Sequence, residues 1–153
     1  MSKKILTIII TLFLTLITQV AFAKADSYDI YGKPHNFSLS KKGQWVIINY
    51  WADWCHACVE EIPQLNKLAE LLKDKPVVFY GVNYDSMPDR NQQEFAQQFQ
   101  VNYLLMRDNP FNESTPPRSQ IVSLPVTFVI SPTGQVRELN GELQINEILR
   151  IIG

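Results

Sequence analysis

The chain has 153 residues, a net charge of −1 and 46% hydrophobic residues. This length and composition suit one domain with a sizeable core, and the near-neutral charge without basic clusters argues against a nucleic-acid partner. Two cysteines and two histidines, one of which lies inside the cysteine motif, make a four-ligand zinc site a poor fit.

Residues 1 to 23 have the pattern of a Sec signal peptide. Two early lysines precede an apolar stretch over residues 5 to 20, and Ala21-Phe22-Ala23 offers a small-x-small cleavage site. Ala25 ends a second possible site. The apolar stretch is short for a membrane helix, which needs about 20 residues. We therefore predict a periplasmic protein with a mature domain over residues 24 to 153, and an uncleaved anchor is the alternative.

The mature chain is predicted to begin with a short β-hairpin over residues 28 to 39. Apolar residues alternate on either side of a turn at residues 32 to 34. His35 follows that turn, where we expect a lone histidine to be solvated.

The next stretch joins a buried strand to a helix, with both cysteines between them. Residues Trp45–Trp51 are β-branched and aromatic, as expected of a strand buried on both faces. From residue 59 to 72, apolar residues recur at spacings of three and four, which predicts an amphipathic helix, and Pro63 predicts a kink within it. Cys55 therefore lies at the strand-to-helix turn, and Cys58 lies one helical turn further on.

The remaining elements complete an α/β fold. Their predicted order is a strand at 77–82, a helix opening at 86–89, a strand at 103–106, a loop at 109–120, strands at 126–130 and 135–139, and a helix at 143–152. This order predicts one central mixed sheet flanked by helices on both faces, with the N-terminal hairpin as an extension.

The two cysteines favour redox chemistry. A thiol at a helix start faces unpaired N–H groups and the positive end of the helix dipole, which stabilise the reactive thiolate. We expect Cys55 to be the exposed, reactive thiol. Cys58 is near enough to close a small disulfide ring and is expected to be more buried. The alternatives are a structural disulfide, which gains little from closing a two-residue loop, and half of a metal site.

A motif around the cysteines links the chain to a known family. Trp51 to Cys58 reads W-A-D-W-C-H-A-C and resembles the active-site signature of the thioredoxin-like superfamily. From about Tyr28 onward the chain resembles the extracytoplasmic TlpA/ResA-like branch, with Glu60-Glu61-Ile62-Pro63 similar to its acidic residue and helix-kinking proline. Residues 123 to 130 are similar to its cis-proline loop and following strand. The resemblance implies a thioredoxin-like fold and an oxidoreductase that uses no cofactor besides the Cys55-Cys58 disulfide.

Glu61 is the predicted proton-handling residue. Thioredoxins proper share a buried aspartate six residues before the first cysteine. This chain has Asn49 at that position, and asparagine cannot carry a proton. Glu61 lies one turn beyond Cys58 on the same helix face, so its carboxylate could exchange a proton with the Cys58 thiol. The alternative is a solvated surface glutamate, a description that suits the neighbouring Glu60 better.

Pro125 is the predicted docking element. It opens a strand that otherwise reads as central, where its missing N–H would leave a ladder hydrogen bond unmade. We therefore predict a cis peptide at Leu124-Pro125, and the family resemblance places it against the cysteine turn. The backbone of Leu124 would then pair with an extended substrate segment. The predicted substrate-binding surface is completed by three residues around the cysteines: Trp54, His56 and Ala57.

These features together predict a periplasmic thiol:disulfide oxidoreductase, and the family resemblance implies a reductant of protein disulfides, such as those of cytochrome c maturation. The TlpA/ResA-like resemblance implies this direction and a membrane thiol donor of the DsbD type, and we expect a monomer. Two alternatives stay open. A disulfide oxidase or isomerase would use His56 to stabilise the neighbouring thiolate, and a copper-delivery chaperone would use the two sulfurs as soft ligands.

Overall fold

The computed structural model describes residues 27–37, 43–111, 115 and 118–153. The predicted signal peptide at residues 1–23 lies outside this described part, so its cleavage and the bounds of the mature domain stay predictions. Among the helices of the described ranges, none combines the length and apolar character needed to span a bilayer.

Seven strands, four α-helices and one 3-10 helix make up the described fold. They are β1 (Ser27–Tyr28), β2 (Pro34–His35), β3 (Trp45–Trp51), α1 (His56–Glu60), α2 (Ile62–Leu72), β4 (Val77–Asn83), α3 (Asp89–Gln98), β5 (Leu105–Met106), the 3-10 helix Arg118–Gln120, β6 (Val126–Ile130), β7 (Val136–Asn140) and α4 (Ile145–Ile152). Strands β1 and β2 form an antiparallel hairpin, and the other five form one sheet in the order β5-β4-β3-β6-β7. The predicted mixed sheet and its N-terminal hairpin are confirmed.

Strand β3 is the centre of the sheet, as its apolar composition predicts. It pairs in parallel with β4 and antiparallel with β6. All of its side chains from residue 46 to 51 are buried. In this register Asn49 lies opposite Gly81 of β4 and Thr127 of β6. A polar side chain therefore occupies the middle of the most buried strand.

The four α-helices of the described chain pack on one face of the sheet. Ile47 belongs to the same apolar cluster as the buried residues of α2 and α4, and Trp51 stacks on Phe95 of α3 with ring centroids 4.5 Å apart. The opposite face packs against Phe37 and Phe111 instead. This arrangement differs from the expectation of helices on both faces. The crossovers from β3 to β4 and from β4 to β5 advance in the same direction, so right-handed connections place their helices on the same face.

The N-terminal hairpin is held by a buried carboxylate. Asp29 accepts the backbone N–H groups of Tyr31 and Lys33 at 2.9 Å, and its Oδ2 lies 2.9 Å from Nε2 of His35. Burial raises the pKa of Asp29, but these hydrogen bonds together lower it by more. The pKa of Asp29 is therefore below its ordinary value of 3.8. The expectation of a solvated His35 is wrong, because its side chain is only 20% exposed and its ring stacks on Phe37.

Helix α3 begins three residues later than expected from the opening at residue 86. The side-chain oxygen of Asn83 accepts the N–H groups of Asp85 and Met87 at 3.0 Å, which folds the chain into a tight loop after β4. Ser86 lies within this loop with a φ of 56°, and the helix starts at Asp89 after Pro88. The loop carries Asp85 toward the cysteine turn, as described below.

Candidate active site

Cys55 and Cys58 form a disulfide at the point where the central strand gives way to a helix. Cys55 is the N-cap residue of α1, with extended backbone angles (φ −86°, ψ 101°). The backbone N–H of Cys58 donates a hydrogen bond to Cys55 Sγ at 3.2 Å. The prediction that Cys55 lies at the strand-to-helix turn is confirmed, and a helix N–H group does point at its sulfur.

Both cysteines are buried in this disulfide form. Cys55 is 7% exposed and Cys58 is 2% exposed, within an apolar cluster that also contains Trp51 and Ile62. The predicted order of accessibility is correct, but the expectation of an openly exposed Cys55 is not met. Cys55 therefore keeps a small exposed fraction, whereas Cys58 is almost fully enclosed.

The helix after the cysteines is interrupted at Glu61. Helix α1 ends at Glu60 and α2 begins at Ile62, with Glu61 as the residue between them. Pro63 has no N–H to give to the carbonyl of Val59, which explains a break at this place. The interruption separates the five-residue turn that bears the cysteines from the longer scaffold helix, as Pro63 predicts.

Glu61 is a buried carboxylate, only 1% exposed. Its Oε1 accepts a hydrogen bond from Asn49 Nδ2 at 2.8 Å, and its Oε2 accepts the backbone N–H of Leu143 at 2.9 Å. Burial raises the pKa of Glu61 above its ordinary value of 4.5, although these two hydrogen bonds oppose the rise. The alternative of a solvated Glu61 is wrong, whereas the side chain of Glu60 is 57% exposed, as expected.

The peptide bond between Leu124 and Pro125 is cis, as predicted. Pro125 is buried, and its carbonyl oxygen accepts the N–H of Gly141 at 2.9 Å. Leu124 is half-buried and packs against the cluster that contains both cysteines. Val122, two residues earlier, is 91% exposed. The segment that precedes β6 therefore contacts the cysteine cluster through Leu124 and also carries an exposed apolar side chain, Val122.

The other predicted substrate-binding residues differ in exposure. Trp54 is 65% exposed, and its indole N–H donates a hydrogen bond to Asp85 Oδ2 at 2.6 Å. The His56 side chain is 87% exposed, and its Nε2 lies 3.3 Å from an oxygen of Glu60. Ala57 is half-buried against the cysteine cluster. Trp54 and His56 are thus exposed residues next to Cys55 in the chain, while Ala57 packs against the cluster that contains both cysteines.

Two residues of this site were missed in the sequence, Asn49 and Asp85. Asn49 was discounted because it cannot carry a proton, yet it contacts the residue that can. A lone amide within the otherwise apolar run Trp45–Trp51 is the signal that marks it, since a buried amide needs a partner. No comparable signal marks Asp85, because its position depends on the loop that follows β4.

In the described ranges, no group of three or more His, Cys, Asp or Glu side chains is arranged to hold a metal ion.

Two known proteins with similar sequences are named for disulfide exchange. The chain is 29% identical over 111 residues to the thiol-disulfide oxidoreductase ResA of Geobacillus kaustophilus, which covers 72% of this chain and 62% of that protein. It is 34% identical over 97 residues to the thiol:disulfide interchange protein DsbE of Pseudomonas fluorescens biotype C, which covers 63% of this chain and 51% of that protein. The chain therefore spans less than two thirds of the length of these relatives.

A solved structure and a family match agree with these similarities. A thiol:disulfide interchange protein from Chlorobium tepidum TLS, a thioredoxin family protein, matches with a TM-score of 0.66 and 25% identity over 84% of this chain and 92% of that one. The match confirms the predicted thioredoxin-like fold. Residues 19–139 match a single family over most of the chain's length, and the chain belongs to that family, the AhpC/TSA family.

Proposed function

We propose that this protein is a thiol:disulfide oxidoreductase in which the Cys55-Cys58 pair alternates between a disulfide and two thiols. The observation that carries the proposal is the hydrogen bond from the Cys58 N–H to Cys55 Sγ at 3.2 Å. In the reduced protein the same N–H would stabilise a thiolate on Cys55, because hydrogen bonds to charged acceptors are stronger than those to neutral ones.

The exchange proceeds in two displacements. The Cys55 thiolate attacks one sulfur of a substrate disulfide, forms a mixed disulfide and releases the other substrate sulfur as a thiolate. The Cys58 thiolate then attacks the Cys55 sulfur of the mixed disulfide. The Cys55-Cys58 disulfide forms and the second substrate sulfur leaves as a thiolate. Two electrons pass to the substrate, and its two thiolates take up protons.

Glu61 would prepare the second displacement. Cys58 is buried, so its thiol must lose a proton without direct access to water. The buried Glu61 carboxylate lies one residue past α1, one turn beyond Cys58, and burial raises its pKa so that it accepts a proton more readily than a solvated glutamate. Glu61 is therefore proposed as the base for the Cys58 thiol.

Substrate proteins would dock on the surface around the disulfide. Trp54 and Val122 are large exposed apolar side chains on segments that border the cysteine cluster, through Cys55 and Leu124 respectively. The backbone of Leu124 before Pro125 is proposed to pair with an extended segment of the substrate. His56 and Ala57 complete this proposed docking surface.

A periplasmic reductant is the finer proposal. The signal-peptide pattern of residues 1–23 supports export, and the TlpA/ResA-like resemblance supports the reducing direction. The protein would act as a monomer on protein disulfides, those of cytochrome c maturation among them, and a membrane thiol donor of the DsbD type would reduce it again. It would need no cofactor besides its own cysteine pair.

A trapping experiment tests the exchange chemistry. The Cys58→Ser protein keeps the attacking thiol and loses the resolving one, so it should accumulate mixed disulfides through Cys55 that dithiothreitol releases. The Cys55→Ser protein is the matched control and should trap far fewer partners. Equal trapping by the two variants would contradict the assignment of Cys55 as the attacking residue.

The reduction potential of the pair tests the direction. A reductant should lie near thioredoxin, at about −270 mV, whereas a strong oxidant such as DsbA lies near −120 mV. A value close to that of the oxidant would overturn the proposed direction and leave the exchange chemistry intact.

A further inference from the structure

Asn49 is fully buried at the centre of the sheet and contacts the carboxyl group of Glu61. Its Nδ2 donates to Glu61 Oε1 at 2.8 Å and to Thr127 Oγ1 at 3.2 Å. The other carboxyl oxygen, Oε2, accepts the backbone N–H of Leu143 at 2.9 Å. Glu61 is thus bound between a side-chain amide, which can rotate, and a backbone amide, which cannot.

The second polar atom of Asn49 has no partner among the described residues. Its Oδ1 is buried and receives no hydrogen bond from the described residues. An unpaired buried acceptor destabilises the fold, because its hydrogen bonds to water are lost and not replaced. Leucine would fill the position without that cost, so the presence of an amide here calls for an explanation.

A protonated Glu61 supplies that explanation, because it needs a partner of the opposite polarity. The backbone N–H of Leu143 can only donate, so Oε2 stays an acceptor and the added proton lies on Oε1, facing Asn49. A half-turn of the side-chain amide replaces Nδ2 by Oδ1, which accepts this proton. The hydroxyl of Thr127 both donates and accepts, so it can reverse its own hydrogen bond and remain paired.

We propose that Asn49 is a positioning residue for Glu61 and that its side-chain amide rotates to bind either protonation state of that carboxyl group. In one orientation the amide donates to the carboxylate, and in the other it accepts from the carboxylic acid. The inference rests on the proposed function, because Glu61 changes its proton in each turnover only if it serves the Cys58 thiol. Asn49 carries no proton itself and keeps both states of Glu61 accessible.

The other groups that act on Glu61 keep their polarity. Burial raises the pKa of Glu61, two hydrogen bonds lower it, and the negative charge of Glu142 raises it. Tyr103 stays neutral, because burial and the charge of Glu61 raise the pKa of its phenol far above its usual value. Cys58 lies three residues earlier in the chain and can titrate only in the reduced protein. Asn49 is the neighbour whose hydrogen bond can invert.

Nuclear magnetic resonance of the oxidised protein tests whether the Asn49 amide responds to the protonation of Glu61. The Glu61 carboxyl carbon and the Asn49 side-chain amide are followed while the pH is varied, and this measurement needs neither substrate nor free thiols. The amide signals of Asn49 should change at the same midpoint pH as the carboxyl signal of Glu61. Amide signals that stay constant through the Glu61 titration would overturn the proposal.

A matched pair of variants separates positioning from simple support of the fold. Asn49→Leu removes a strong hydrogen bond to the charged carboxylate and a weaker one to the neutral acid. The Glu61 midpoint should therefore move to higher pH, and the pH profile of resolution by Cys58 should move with it. Asn109→Leu is the control, because Asn109 is also buried and makes four hydrogen bonds, to Tyr80, Tyr50, Thr115 and Phe111, on the opposite face of the sheet. It should lower stability and leave the Glu61 midpoint in place.

The outcomes distinguish the inference from the proposed function. If Asn49→Leu lowers stability without moving the Glu61 midpoint, Asn49 only supports the fold and the inference is overturned. If the wild-type cysteines exchange no disulfide while the midpoint moves as expected, the proposed function fails and the pairing of Asn49 with Glu61 stands.

Discussion

The indole N–H of Trp54 donates a hydrogen bond to Asp85 at 2.6 Å, although Trp54 is 65% exposed. Asp85 is itself positioned by the loop in which Asn83 accepts its backbone N–H. An aromatic ring that is already oriented loses less conformational freedom when a partner binds. The Asp85 carboxylate would therefore orient Trp54, the residue next to the proposed attacking cysteine, for its proposed contact with substrate.

Substitution of Asp85 by alanine should weaken substrate binding and leave the chemical steps intact. We expect KM to rise roughly threefold, in line with about 0.5–1.5 kcal/mol for ordering a large side chain on binding, with kcat unchanged. Steady-state reduction of a protein disulfide measures both constants. Glu94→Ala is the control, since that exposed carboxylate pairs with Arg90 on α3. An equal rise of KM in both variants would point to a general effect of charge.

The two thiols of the reduced protein should differ in reactivity. Cys55 has the larger exposure and accepts the helix N–H, so iodoacetamide should modify it first at neutral pH. Mass spectrometry of peptides from partly alkylated protein gives the order of labelling. Faster labelling of Cys58 would reverse the proposed roles of the two cysteines.

Replacement of Glu61 by glutamine should slow the second displacement more than the first. Only the attack by Cys58 requires a proton to be taken from a buried thiol, and loss of a general base typically costs about 10²–10⁴-fold. Stopped-flow measurements separate formation of the mixed disulfide from its resolution. If both steps slow equally, Glu61 does not act as the base for Cys58.

The free energy of unfolding of the oxidised protein should depend on pH through the titration of Glu61. Because the pKa of Glu61 is raised above 4.5 in the folded state, the folded protein binds this proton more tightly than the unfolded chain. The contribution of Glu61 to the free energy of unfolding is therefore present at low pH and lost as the pH rises through the raised pKa. Urea unfolding should show the wild type losing stability relative to Glu61→Gln across this window. Parallel curves for the two proteins would contradict the prediction.

Asp29 should show the opposite dependence on pH. Its pKa is lowered, so its stabilising effect is present above its unfolded value, near 3.8, and is lost as the pH falls through the folded pKa. We expect Asp29→Asn to lower the free energy of unfolding by about 1–3 kcal/mol at pH 7, because three donors lose their charged acceptor. The difference from wild type should shrink in acid. A difference that is constant with pH would mean that the charge of Asp29 contributes nothing.

Local patterns sufficed for much of the fold. The apolar run Trp45–Trp51 and the terminal helix were recognisable because burial selects composition and periodicity directly. Cys55 and Pro63 could be placed because a strand end and a missing N–H act on adjacent residues. The distribution of helices on the two sheet faces was harder to predict, since it depends on the direction in which successive crossovers advance.

Contacts between distant residues account for what the sequence left open. Glu61 and Leu143 are 82 residues apart, and Asn49 and Thr127 are 78 apart, so neither hydrogen bond has a local signature. His35 was expected to be solvated because its nearest neighbours form a turn. Its carboxylate partner six residues earlier becomes visible only when the hairpin is folded.

Because all the described α-helices pack on one face, the two faces of the sheet contact different parts of the chain. The side of β3 that bears Asn49 faces the helices and Glu61, whereas the side that bears Tyr50 is covered by residues such as Phe111 and Asn109 from the segment before β6. Substitutions in that segment can therefore alter the surface near Val122 and Leu124 without disturbing the contact between Asn49 and Glu61. The surface proposed to bind substrates can thus diverge between descendants of such a chain while the proposed redox pair is inherited unchanged.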